Sequence, residues 1–109
     1  MNIKISFKHL EHTPALDERI HEKSERLEKF FGGQFDVQWT CWVDEKQNHW
    51  AEVRVLGQPP ECFAKANADN MYKAFDLVME KVERQLEKRK SKLRNRVHNT
   101  EAHKYRQTG

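Results

Sequence analysis

The sequence has no hydrophobic run approaching the roughly 20 apolar residues of a membrane-spanning helix. Its first ten residues, Met1 to Leu10, lack the succession of charged, apolar and small residues that marks a secretory signal. Both absences lead to the expectation of a soluble, cytoplasmic protein with no membrane partner. Glycine and proline are scarce, at four and three residues, and no glycine-rich phosphate loop can be assembled from them. The two cysteines, Cys41 and Cys62, are too far apart for a CxxC redox pair or a zinc knuckle. Both fall at inward positions of alternating segments and are expected as buried thiols that pack as small hydrophobes.

Groupings that support catalysis are equally sparse. The six histidines are scattered. His9 and His12 lie three residues apart at a strand end, with no Cys or carboxylate trio to complete a metal site. No histidine is positioned as a base for either cysteine, and no carboxylate pair stands out as an acid–base couple. The expectation is a protein with no catalytic residues, no metal, no cofactor and no small-molecule substrate, and so not an enzyme.

What is present is charge, and it is unevenly placed. Of 109 residues, 37% are apolar and 34% charged, enough for one solvated domain with one core. The net charge of +3 conceals an asymmetry: residues 81–106 hold ten basic and three acidic side chains, whereas residues 1–80 hold ten basic and fourteen acidic. The first segment is thus +7 and the second −4. Such a block of charge is an argument about partners, with polyanions foremost.

Periodicity supplies the architecture. Ile3, Ile5 and Phe7 alternate with polar residues and predict a half-buried strand. Thr13-Pro14 is a helix start, with Thr13 as N-cap, and that helix is expected to run to about Phe31, before Gly32-Gly33. Leu16, Ile20, Leu27, Phe30 and Phe31 form its apolar stripe. Phe35, Val37, Trp39, Cys41 and Val43 alternate through a second strand, Ala51, Val53 and Val55 mark a third, and Cys62, Ala64 and Ala66 a short fourth. Gly57-Gln58-Pro59-Pro60 is the intervening turn. A long helix is expected from Asp69 or Asn70 to about Val97, with Met71, Phe75, Val78, Val82, Leu86 and Leu93 at helical spacing. Residues 98–109 have little to bury and are expected as a disordered basic tail, leaving residues 1–97 as the single domain. The order β-α-β-β-β-α predicts an α+β fold: a four-stranded mixed sheet with two helices packed on one face, similar in layout to a double-stranded-RNA-binding domain. Trp42, Trp50, Glu52, Arg54 and Leu56 then point to the open face.

On a wheel of the long helix, Lys73, Lys81, Arg84, Lys88 and Lys92 share one flank, and Asp76, Glu80, Glu83 and Glu87 share the other. A helix evolved only for stability would alternate signs at i,i+4. Here Arg84–Lys88 and Lys88–Lys92 are like-charge pairs, each destabilising an isolated helix by a few tenths of a kcal/mol. Residues 88–96 hold six bases and no acid. A rigid stripe of this kind suits a phosphate backbone, binding it without reading sequence. Arg19, Lys23 and Arg26 form a smaller basic flank on the first helix and would border the same groove if the helices lie side by side. Lys23 sits almost inside the apolar stripe, where it either contributes to that groove or packs its stem and snorkels its head to solvent. Trp42 and Trp50 are read first as packing or protein contact and second as platforms for unpaired bases, because Asp44 and Glu52 lie close by.

The run Asn70-Met71-Tyr72-Lys73-Ala74, followed by Lys81-Val82-Glu83-Arg84-Gln85-Leu86-Glu87-Lys88-Arg89-Lys90-Ser91-Lys92-Leu93-Arg94, resembles the ribosome hibernation promoting factor and ribosome-associated inhibitor family, also called the sigma-54 modulation proteins. Thr13-Pro14-Ala15-Leu16 and Arg26-Leu27-Glu28-Lys29 match the family's first helix, and the resemblance spans about residues 1–96. It implies a factor that occupies the decoding channel of the small ribosomal subunit under stationary phase or stress and excludes messenger RNA and the A- and P-site transfer RNAs. On matching positions it implies contacts to 16S ribosomal RNA by Lys23, Arg26, Lys81, Arg84, Lys88, Arg89 and Lys92, with Gln85 adding a hydrogen bond. A short form, monomeric off the ribosome, is expected. The chain departs from the family pattern in its three tryptophans. Its tail is not acidic like that of the inhibitor subtype, so whether it promotes or opposes ribosome pairing stays open. Two alternatives remain beside the resemblance: a protein-interaction module using the Trp42/Trp50 face, and a general binder of structured RNA.

Overall fold

The computed structural model describes the backbone of residues 1–58 and 61–106, and the side chains of residues 1–58 and 61–89. The elements follow in the order β1 (Asn2–Lys8), α1 (Pro14–Glu25), a 3₁₀ turn (Arg26–Phe30), β2 (Asp36–Val43), β3 (His49–Leu56), β4 (Cys62–Ala68) and α2 (Met71–Arg106). The sheet order is β1-β2-β3-β4. β1 and β2 are parallel, joined by the α1 crossover, and the two later pairings are antiparallel. This is the expected four-stranded mixed sheet with two helices on one face.

Alternation decides what each strand buries. Val37, Trp39 and Cys41 of β2, Ala51, Val53 and Val55 of β3, and Cys62, Ala64 and Ala66 of β4 face the helices and are buried. α2 covers them with Met71, Phe75, Val78, Met79, Val82 and Leu86, and α1 adds Leu16 and Ile20. Trp39 is the largest fully buried side chain, and its ring meets Phe75 edge-on at 5.3 Å between centroids. Its indole N–H is satisfied too. It donates to Ser24 Oγ at 2.9 Å, and that hydroxyl donates to the Ile20 carbonyl at 2.8 Å. Burial pushes the Cys41 thiol up to about 12 and the Cys62 thiol up to about 11, as expected for packed rather than reactive sulfur.

The caps match the sequence signals. Leu16 N–H donates to Thr13 Oγ1 at 3.2 Å at the start of α1, and Lys73 N–H donates to Asn70 Oδ1 at 2.9 Å at the start of α2. Two stretches differ from expectation. The first helix is α-helical only to Glu25 and tightens into a 3₁₀ turn over Arg26–Phe30. With three residues per turn, Leu27 and Phe30 then stand on the same side, and both are buried. Phe31 follows in extended conformation (φ −131°) and stacks on Phe35 at 4.4 Å. The second difference is in α2, whose backbone continues to Arg106, beyond the end near Val97 suggested by the apolar stripe. The side chains from residue 90 onward, Lys92 included, and residues 107–109 altogether lie outside the described residues. At the β3–β4 turn Gly57 adopts φ +102°, and a Cβ there would lie 3.4 Å from Phe35 Cα, so the position favours glycine.

Candidate nucleic-acid interface

α2 has three flanks besides the one it buries. Toward solvent stand Lys73, Leu77, Arg84 and Lys88, all exposed. Toward α1 stand Asp76 and Glu83. Toward the β4 edge stand Lys81, Gln85 and Arg89. The segregation visible on the helical wheel therefore has a tertiary cause on one side. Lys23 Nζ lies 2.5 Å from Asp76 Oδ1, Arg26 Nη2 lies 2.6 Å from Glu83 Oε1, and Lys29 Nζ lies 3.6 Å from Glu83 Oε2. The acidic flank of α2 is the counter-surface for the bases of α1. Lys23 and Glu83 keep only 16% and 12% of their side-chain surface exposed, so their neutralisation matters more than that of a surface pair.

This arrangement separates residues that the sequence reading had grouped. Lys23 and Arg26 do not border a groove with Lys81 and Lys88. They lie across α2 from Lys81, with Asp76 and Glu83 against them, because the helices meet through opposite charge. Lys23 combines a mostly buried stem with an internal partner. Arg19 is placed over the Tyr72 ring, 5.1 Å from its centroid, and 3.7 Å from Glu22.

On the other side of α2 the structure brings together two more of the expected contact residues. Lys81 Nζ donates to the Lys65 carbonyl at 2.9 Å, and Gln85 Nε2 donates to the Phe63 carbonyl at 3.1 Å. These oxygens belong to β4, an edge strand, whose outer carbonyls would otherwise be open to pairing with another chain. Gln85 thereby has a structural partner. Arg89 lies beyond it and lines an open cleft together with Arg54, Leu56, Glu61, Cys62 and Phe63. Among the described residues, Arg84, Lys88 and Arg89 have no ion-pair partner, whereas Lys73 pairs with Asp69 at 3.3 Å.

The open sheet face carries Trp42 and Trp50, directly opposite in the β2–β3 register. Their rings are parallel within 4° with centroids 5.7 Å apart. Trp50 is held at its polar edge, its indole N–H donating to Asp44 Oδ2 at 2.9 Å. The same carboxylate accepts from Lys46 N, Asn48 N and Asn48 Nδ2, organising a turn in which Gln47 takes φ +67°. The Trp50 bond, followed by the Asn48 backbone bond, holds the Asp44 carboxyl down to about 2. Asp44 is therefore a turn anchor, which explains an acid beside the aromatic pair. The other flank of Trp50 receives Lys65, its Nζ 5.6 Å from the ring centroid. Sequence reasoning did not single out Lys65, Asn67 or Leu77. The signal was available for the first two, since inward Cys62, Ala64 and Ala66 put Phe63, Lys65 and Asn67 outward. His12, weighed as half of a metal pair, instead bonds Asp17 Oδ1 through Nε2 at 2.9 Å and packs on Phe7.

A single helical layer over a mixed sheet, with cations on the free flank of the longer helix, defines the chain as a small α+β module that presents positive charge on a rigid rod. Within that class the chain belongs to the Sigma 54 modulation protein / S30EA ribosomal protein family, whose model matches residues 3–94. It is 39% identical over 93 residues to the ribosome hibernation promoting factor of Azotobacter vinelandii, covering 84% of this chain and 85% of the relative. It is 33% identical over 94 residues to the factor of the same name from Escherichia coli K12, covering 86% and 98%. A ribosomal subunit interface protein from Coxiella burnetii superposes with a TM-score of 0.73 at 26% identity, over 84% of this chain and 99% of that one.

Proposed function

We propose that the protein is a ribosome hibernation factor that binds the small subunit in the cytoplasm and occupies its decoding channel. The mechanism is steric. A rigid helix held by phosphate contacts stands where messenger RNA and the A- and P-site transfer RNAs pass, and no bond is made or broken. The observation that carries this reading is the outward ridge of α2. Arg84 and Lys88 stand one helical turn apart, exposed and without ion-pair partners among the described residues, and the like-charge repulsion this costs is relieved when phosphates bind between them. Membership of a family whose relatives are named for ribosome hibernation supports the target.

We assign the RNA contacts to Arg84, Lys88 and Arg89, with Lys81 contributing the protons its bond to Lys65 leaves free and Lys92 continuing the same flank in sequence. Lys23 and Arg26 act mainly in holding α1 to α2. Gln85 acts mainly in closing the β4 edge. The factor is proposed to act as a monomer off the ribosome, with residues 1–97 as the binding domain. The direct test is competition: small subunits preloaded with the protein should fail to take up messenger RNA and initiator transfer RNA. Undiminished uptake with the protein still bound would exclude the decoding channel.

A further inference from the structure

We propose that a groove leading from the ridge of α2, over the β4 edge, to Trp50 is a binding site for an unpaired RNA strand, with a base against the tryptophan pair. The proposal rests on the reading of the chain as an RNA-binding factor and extends it to a surface that shares only Lys81 with the helix contacts.

The groove is lined by Trp50, Lys65, Ala66, Asn67, Leu77 and Lys81. Its lining offers two ammonium groups, an amide, an indole and two apolar side chains; the nearest acids border it, Asp44 at the Trp50 N–H and Glu52 opposite Lys65. It is also continuous with the cationic ridge, since Lys81 lies on α2 within two turns of both Arg84 and Lys88. Lys81 spends one of its three protons on the Lys65 carbonyl and keeps two for a phosphate. Trp50 is pre-oriented. Trp42 covers one face of its ring, Asp44 holds its N–H, and the remaining face has Lys65 over it. A base entering there replaces a solvated ammonium on the ring, while that ammonium moves to the adjoining phosphate.

These features favour an unpaired strand over the other polyanions. Bases inside a duplex have both faces covered and cannot stack on a side chain, whereas single strands are held by just this combination of cations and aromatic platforms. A protein partner docking through tryptophan without acidic side chains would leave Lys65 and Lys81 desolvated without a counter-charge.

The experiment titrates the full-length protein with a ten-nucleotide oligouridylate and with a duplex of equal length, reading tryptophan fluorescence. The single strand should quench the signal and the duplex should not. Trp50→Leu should abolish the quench and weaken binding about tenfold, the scale of one base–aromatic stack. Lys65→Glu, at an exposed position that leaves the core intact, should weaken binding to a similar degree and so guards against a folding defect in the first variant. Equal affinity of single strand and duplex, or wild-type affinity in both variants, would overturn the proposal. Loss of small-subunit pelleting by Trp50→Leu with oligouridylate affinity unchanged would overturn it in favour of a protein contact. Small-subunit pelleting by the same two variants separates this site from the main reading: a groove that fails while pelleting still depends on Arg84 and Lys88 leaves the hibernation assignment standing.

Discussion

Replacing Ser24 by alanine deletes one oxygen from the middle of the core. That oxygen is the acceptor for the Trp39 indole N–H at 2.9 Å, and neither residue is accessible to water, Ser24 at 0% and Trp39 at 1%. No solvent can take its place, so the variant carries a buried donor without a partner, at a cost of about 1–3 kcal/mol. Alanine is the better helix former by about 0.5 kcal/mol, which leaves a net loss of roughly 0.5–2.5 kcal/mol. For a domain of this size each kcal/mol lowers the melting temperature by about 5 °C. Urea unfolding followed by circular dichroism should therefore show a lower midpoint with an unchanged slope. A double-mutant cycle with Trp39→Phe isolates the bond. On the phenylalanine background no indole is orphaned, so Ser24→Ala should be cheaper there by about 1 kcal/mol. Equal costs on both backgrounds, or a Ser24→Ala variant as stable as the wild type, would show that the bond does not organise the core.

Three other outcomes follow from the geometry. Asp44 has a depressed carboxyl, so its contribution to the β2–β3 turn is fully present above the unfolded value of 3.8 and lost as pH falls through about 2; the Trp50 indole N–H resonance should titrate with a midpoint near 2, and Asp44→Asn should lack that transition. A midpoint near 3.8 would mean the hydrogen bonds do not hold in solution. The Cys41 and Cys62 thiols, raised to about 12 and 11, should resist a thiol reagent at pH 8 until denaturant is added, and rapid labelling of the native protein would contradict their burial. Gln85→Ala should lower stability by about 1 kcal/mol while leaving small-subunit pelleting unchanged; weakened pelleting at wild-type stability would return Gln85 to direct RNA contact.

The strands were legible because alternation was regular: Val37-x-Trp39-x-Cys41 and Ala51-x-Val53-x-Val55 each have one apolar face, and both faces pack as read. Thr13 was legible as a cap because its chemistry is local, and the start of α2 was legible to within a residue, at Asp69 or Asn70. The change to a 3₁₀ turn at Arg26 was not, since no glycine or proline marks it, and the turn follows from where Leu27 and Phe30 must be buried. The site was legible in part. The wheel of α2 separates acids from bases, but only the fold reveals that Asp76 and Glu83 are claimed by Lys23, Arg26 and Lys29. A sequence shows that a lysine lies on a flank and not which carbonyl lies beside it, so the roles of Lys81 and Gln85 at the β4 edge were hidden.

The central claim is that unpaired cations on the outward flank of α2 hold the protein to the small subunit. Its most direct test is co-sedimentation of Arg84→Glu/Lys88→Glu and of the wild-type protein with separated small and large subunits, at low and raised salt. Both residues are exposed and bond to nothing among the described residues, so the double variant should keep the wild-type unfolding midpoint. The account predicts that the wild type pellets with the small subunit alone and loses affinity by orders of magnitude over a few-fold rise in salt, and that the folded variant stays in the supernatant. A folded variant that pellets like the wild type would contradict it.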